Sequence, residues 1–185
     1  MGKLSAFNFL TLNGFYQGKE QGDINWHTHQ AGGEEAEYAA EGAGSDSTLV
    51  FGRVTYDMMS AWWPTPAAIE TMPGIAEGMN RSEKIVFSRT LKKADWNNTR
   101  IIKDNIGEAV RKLKKDRDMT ILGSGSIVTQ LSDLGLIDQY QLMIDPVALG
   151  EGKTIFSGMQ KQLNLKLVGH RIFKSGAVML TYEPA

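Results

Sequence analysis

Apolar positions in this chain fall into short runs divided by turn-forming stretches, and the runs follow two periods. Residues 4–12 (LSAFNFLTL), 48–51 (TLVF), 84–88 (KIVFS), 119–122 (MTIL) and 138–145 (DQYQLMID) are short, and several are rich in β-branched and aromatic residues. Such runs predict buried strands. Ile101 and Ile102 mark another short one. Other segments predict helices: a short acidic one over 34–42, and one from Arg53 to Trp63 that Pro64 stops. A third runs from a cap at Asp104 or Asn105 through Lys115, with Ile106, Val110 and Leu113 on one face. A fourth opens at Gly123-Ser124-Gly125-Ser126 and stops at Gly135. Residues 163–173 and 177–183 predict two strands, with a tight hairpin at Ser175-Gly176. Residues 13–33, with five glycines, read as a long loop. Residues 64–82, with three prolines and two glycines, read as irregular apart from a helical turn near 75–79.

Strands alternating with helices predict an α/β fold. Right-handed crossovers then give a largely parallel sheet with helices on both faces, and the terminal hairpin adds an antiparallel edge. No repeat, low-complexity tract or linker interrupts the 185 residues, so the reading is one domain over 1–185.

Composition narrows the function classes. Twenty Lys and Arg against 21 Asp and Glu leave a net charge of -1, which argues against a strongly basic nucleic-acid binder. There is no cysteine, which excludes disulfides, thiolate catalysis and Cys-ligated metals and fits a cytoplasmic protein. No apolar run approaches the ~20 residues that span a bilayer. The opening Met1-Gly2-Lys3-Leu4-Ser5-Ala6 has no secretory pattern, and Ala6 stands where a myristoylation signal wants Ser or Thr.

Ligands of open α/β sheets bind beyond the carboxyl ends of the strands. Three predicted strand ends carry anion-binding chemistry. At Phe51-Gly52-Arg53-Val54-Thr55 a tight turn leads into the first turn of a helix, where free N–H groups attract anions. Phe87-Ser88-Arg89 sets a hydroxyl beside a guanidinium, a pair suited to a phosphate monoester. Gly123-Ser124-Gly125-Ser126 is a second Gly-rich strand-to-helix turn, suited to a diphosphate. Any one of these alone reads equally as an ordinary glycine turn; three in one small domain read as a binding site. Gly152-Lys153-Thr154 is no P-loop, because Val147 replaces its first glycine, and Val128 breaks a Rossmann reading of the Gly123 turn. His27 and His29, with Glu34, form a conceivable metal set, but a polar loop explains them more simply, and no metal is assigned. Met58, Met59, Trp62 and Trp63 read as core and pocket wall.

The succession LTLNGF (10–15), FGRVTYD (51–57), VFSRTL (86–91), ILGSGSI (121–127), DQYQLMIDPVALGEGKTIF (138–156) and FKSGAVMLTYE (173–183) resembles dihydrofolate-reductase-like proteins. It is most similar to the reductase domain of the bifunctional riboflavin-biosynthesis deaminase–reductase and its stand-alone bacterial relatives. The resemblance implies a three-layer α-β-α fold with a mixed sheet of about eight strands, NADPH as cofactor, and a homodimer. It places the NADPH diphosphate near Gly52, Arg53, Val54 and Thr55 and along Gly123, Ser124, Gly125, Ser126 and Ile127. It places the 2′-phosphate at Ser88 and Arg89, after Phe87, and the nicotinamide near Leu12, Asn13 and Gly14. Trp26, Tyr56, Trp63 and Lys153 are the candidate substrate contacts, with Arg81 a further candidate for a substrate phosphate.

The implied activity is NADPH-dependent hydride transfer to a C=N or C=O of a ribosylamino-pyrimidine or similar heterocycle. Asn13 stands where many relatives carry Asp, and Ser124 interrupts a Gly-Gly-Gly turn. Folate reduction is the alternative, disfavoured because no carboxylate follows Trp26 before Glu34. A nucleotide-binding module without turnover and a His27/His29 metal hydrolase are the readings from other classes.

Overall fold

The strand Leu4–Thr11 (β1) runs through the middle of an eight-stranded sheet. The computed structural model describes residues 1–27, 33–43 and 45–185. After β1 the chain passes a short strand, Phe15–Gln17 (β2), and a helix, Glu34–Ala43 (α1). It then forms Thr48–Gly52 (β3), Arg53–Trp62 (α2), Pro66–Thr71 (α3), Pro73–Arg81 (α4), Lys84–Phe87 (β4) and Thr99–Ile102 (β5). Ile106–Leu113 (α5), Met119–Leu122 (β6), Gly125–Asp133 (α6), Gln139–Asp145 (β7) and Lys153–Thr154 (β8) follow. Leu165–Ile172 (β9) and Val178–Pro184 (β10) close the chain.

The main sheet has the order β5-β4-β3-β6-β1-β7-β10-β9. Strands β5 to β7 are parallel, and β10 runs against both of its neighbours. The chain builds outward from β1 on one side, returns with β6 beside β1, and crosses with β7 to the other side. The carboxyl ends of β5, β4, β3 and β6 therefore share one edge.

The period-2 pattern sorts side chains into layers. Leu4 and Ala6 of β1, Val50 of β3 and Ile121 of β6 face α5 and α6, where Val110, Leu113, Ile127, Val128 and Leu131 complete the first core. Leu49, Phe51 and Val86 face the other way, onto Tyr56, Trp63, Ile75, Ala76, Met79 and Trp96. A third cluster joins Met143, Phe173, Ala177 and Met179 to Phe7, Phe9 and Tyr38 of α1. This is the three-layer α-β-α architecture with a mixed eight-stranded sheet that the sequence predicts.

Two stretches depart from the sequence reading. Residues 64–82 form two helices, because Pro66 and Pro73 stand in their first turns, where proline's missing N–H costs nothing. Thr65 caps α3 by accepting the Ala68 N–H at 3.2 Å. The long loop after β1 holds β2, which pairs antiparallel with β8 outside the main sheet. Helix α5 is also shorter than expected, and Asn105 enters it in the left-handed region without a side-chain cap.

Candidate functional site

A crevice of about 640 Å³ lies along the carboxyl ends of β3, β4, β5 and β6. Its walls are turns that lead straight into helices. Gly52 passes directly into α2 with extended backbone and no side-chain cap, so the first N–H groups of α2 are left for a ligand. Gly123 and Ser124, both left-handed (φ 58° each), turn the chain from β6 into α6, which also has no side-chain cap. The third wall is the Lys103-Asp104-Asn105 turn into α5. Three helix amino ends thus point their partial positive charge at one cavity.

Ser124 ties two of these turns together. Its hydroxyl accepts the Gly52 N–H at 2.7 Å and donates to Thr55 Oγ1 at 2.9 Å. Ser88 shapes the turn after β4 in the same way: its Oγ accepts the N–H groups of Thr90 (3.3 Å) and Leu91 (3.0 Å). Arg53 is held by Asp57 (2.6 Å) and Thr90 (3.3 Å). That ion pair is solvent-exposed, so it positions the guanidinium more than it stabilises the fold. Arg53, Arg89, Lys103 and Lys153 line the crevice against one acidic side chain, Asp104. The surplus is cationic although the whole chain carries a net charge of -1.

A flap made of β2 and β8 covers the α6 end. The Tyr16 ring rests on Gly125 so closely that a Cβ there would lie 2.6 Å from Cε1. Burial raises the pKa of the Tyr16 phenol, which keeps it a neutral O–H donor near pH 7. Gly152 lies against the Gln17 carbonyl, where a Cβ would approach the oxygen to 2.4 Å.

The structure brings Gly52, Arg53, Val54, Thr55, Phe87, Ser88, Arg89, Ser124, Gly125, Ser126, Ile127 and Lys153 to the crevice. Gly123 shapes the turn from behind. Leu12, Asn13 and Gly14 do not line it: Asn13 braces the end of β1 instead, exchanging hydrogen bonds with Leu149 (2.7 and 3.2 Å). Tyr56 and Trp63 need correction as substrate contacts. Both are buried in the second core, where Tyr56 Oη accepts the Trp96 N–H and Trp63 Nε1 donates to Met59 Sδ. Their helical spacing reads equally well as core packing. Arg81 ends α4 and is not among the lining residues.

Trp26 and His27 sit on the other side of β1, with His27 on Asp145. His29 lies outside the described residues. Glu34 pairs with Lys174 at 3.0 Å, and no cluster of three metal-ligating side chains occurs among the described residues. Sequence reasoning missed Tyr16, Gln21, Lys103 and Gln130 in the walls. Only Lys103 had a signal, as a cation at a predicted strand end ahead of a predicted helix.

The fold is a dihydrofolate-reductase-like α/β architecture, and a cationic crevice runs along one edge of its sheet. Residues 3–179 match the RibD C-terminal domain, and the chain belongs to that family. It is 34% identical over 176 residues to the uncharacterized protein YyaP of Bacillus subtilis (strain 168), covering 94% of this chain and 90% of that protein. The fold is shared with a putative riboflavin biosynthesis protein from Shewanella sp. PV-4 (TM-score 0.76, 18% identity, 99% of each chain). It is shared too with dihydrofolate reductase from Enterococcus faecalis complexed with NADP(H) and RAB-propyl (TM-score 0.66, 19% identity, 99% of this chain and 96% of that one).

Proposed function

We propose that this protein is an NADPH-dependent reductase of small heterocycles, with a ribosylamino-pyrimidine of riboflavin biosynthesis as the substrate its family favours. The observation that carries the reading is the meeting of three uncapped helix amino ends and four cationic side chains in one crevice. A dinucleotide with a diphosphate and an additional phosphate matches that donor set, and the cavity is within the usual range for ligand pockets. The N–H groups at the starts of α2 and α6 would hold the diphosphate. Arg89 and Lys103, on the neighbouring turns, would neutralise the 2′-phosphate. When bound, NADPH supplies hydride from its nicotinamide C4.

The chain's own part is to orient and to exclude water. Ser124 locks two turns to each other before any ligand arrives, so little rearrangement is needed on binding. The β2–β8 flap lays Tyr16 over the α6 turn, where it shields the crevice and offers a phenolic O–H. A homodimer belongs to this reading; the exposed edge strand β9, with Leu167, Val168 and Ile172 outward, is the surface we assign to it. So does a cytoplasmic setting.

The test is calorimetric titration with NADPH, followed by NADPH oxidation assays with amino-substituted pyrimidines and pteridines. Micromolar or tighter NADPH binding and heterocycle-dependent oxidation are expected. Binding without oxidation of any such compound would favour a nucleotide-binding module.

A further inference from the structure

Tyr16 is the middle residue of β2, a strand that pairs with β8 and stands outside the main sheet. Its ring lies on the first residue of α6: a Cβ on Gly125 would meet Cε1 and Cζ at 2.6 Å and the phenolic oxygen at 2.9 Å. The hydroxyl itself, and not only the apolar face of the ring, is therefore at the α6 turn. Lys153 of β8, opposite Gln17 in the pairing register, adds a cation from the other strand of the flap.

The Tyr16 hydroxyl meets no hydrogen-bond partner among the described residues. The two core tyrosines differ. Tyr140 Oη shares a hydrogen bond with Ser132 Oγ at 2.8 Å, and Tyr56 Oη accepts the Trp96 N–H at 3.3 Å. Burial pushes the phenols of Tyr16 and Tyr140 up alike, but for Tyr140 the Ser132 hydrogen bond opposes the change, and for Tyr16 nothing does. Tyr16 thus presents a neutral, unused O–H donor in the crevice wall.

The groups around it at the α6 turn are donors too. The Ser124 carbonyl takes the N–H groups of Ile127 (2.8 Å) and Val128 (3.1 Å), which leaves those of Gly125 and Ser126 open. The Ser124 hydroxyl is already engaged with Gly52 and Thr55. Among the described residues one carboxylate lines the crevice, Asp104, and it stands on the β5 side, with β4 and β3 between it and β6. An O–H, two N–H groups and an ammonium complement an oxyanion that accepts from several donors at once, as the non-bridging oxygens of a phosphate ester do. The next open helix start, that of α2, follows β3, which neighbours β6 at about 5 Å. Two linked phosphates cover that span, and one does not.

We infer that Tyr16 straps a bound diphosphate ester to the α6 turn, its hydroxyl donating to a non-bridging oxygen, so that the β2–β8 flap contributes to binding through this one group. The inference deepens the reductase reading and rests on it only in taking that ester to be NADPH.

The experiment titrates the full chain and Tyr16→Phe by calorimetry with NADPH, ADP and AMP. Phenylalanine keeps the ring on Gly125 and removes only the hydroxyl. The flap lies outside the main sheet, so the variant folds, and a melting curve checks it. NADPH and ADP are expected to bind the variant about tenfold more weakly, as loss of a hydrogen bond to a charged group implies. AMP, which has no diphosphate, is expected to bind both proteins equally. A role in packing alone predicts the same affinities in both proteins for all three ligands. NADPH and ADP affinities that Tyr16→Phe leaves unchanged, or a loss as large for AMP as for ADP, overturn the inference. The ligands also separate the two claims. ADP binding that depends on the hydroxyl, without NADPH binding, contradicts the reductase reading and leaves this inference standing. NADPH binding that ignores the hydroxyl overturns this inference alone, and a wild type that binds neither overturns both.

Discussion

The Ser124 hydroxyl accepts the Gly52 N–H at 2.7 Å and so joins two turns 72 residues apart in the chain. Each turn ends a parallel strand and starts a helix. The bond fixes the spacing between the two helix amino ends that we assign to a diphosphate. Ser124 itself is in the left-handed region, which only glycine adopts freely, so the hydroxyl is retained against a backbone cost.

Ser124→Ala should therefore strand the Gly52 N–H and lower stability by ~1–3 kcal/mol. Ser124→Gly loses the same bond but relieves the backbone, and should be the less destabilised of the two. Urea unfolding of both variants checks the order. Ala equal to or more stable than Gly would contradict the account.

Gly152→Ala places a methyl 2.4 Å from the Gln17 carbonyl oxygen, a backbone atom that cannot swing away. The two strands of the flap must separate. Because the flap lies outside the main sheet, NADPH affinity should fall several-fold while the thermal midpoint changes little. Calorimetric titration and a melting curve on the same sample measure both.

Lys84 is buried with its ammonium on the Asn80 and Ser82 carbonyls and 4.5 Å from the Trp96 ring centre, with no carboxylate partner among the described residues. Desolvation lowers its pKa from 10.5 to about 8. Below about pH 8 both folded and unfolded chains carry the proton, and the folded state bears the full cost of the buried charge. Between about pH 8 and 10.5 the unfolded chain binds more protons than the folded one, so this group makes stability rise with pH. The gain is on the order of 3 kcal/mol. Lys84→Met should abolish this rise, as the difference between wild-type and variant urea-unfolding free energies across that window reads directly.

Much of this architecture was legible in the residues. Strand runs such as TLVF and MTIL fell within a residue or two of β3 and β6, because a short apolar stretch between turn formers has few other uses. The strand-end motifs at Gly52, Ser88 and Gly125 converge because the right-handed crossover rule puts parallel carboxyl ends on one edge. Residues 64–82 read as irregular in sequence because proline both breaks a helix and starts one, and only tertiary packing of Ile75, Ala76 and Met79 decides. Tyr16 reaches the crevice through a two-stranded flap whose pairing partner lies over 130 residues away, and no local pattern announces that. Asp145 falls inside the stretch DQYQLMIDPVALGEGKTIF, but its complete burial is a property of packing that no local pattern shows.

Cofactor preference bears most directly on the central claim. Arg89 is exposed at the crevice rim beside Ser88, free to meet a phosphate without disturbing the core. The measurement is the ratio of NADPH to NADH affinity in the wild type and in Arg89→Ala. The account predicts that the wild type prefers NADPH, and that the variant weakens NADPH by about tenfold or more, as loss of a charge-assisted contact implies, with NADH unchanged. Equal binding of the two nucleotides by the wild type, or a preference that survives in the variant, would contradict it.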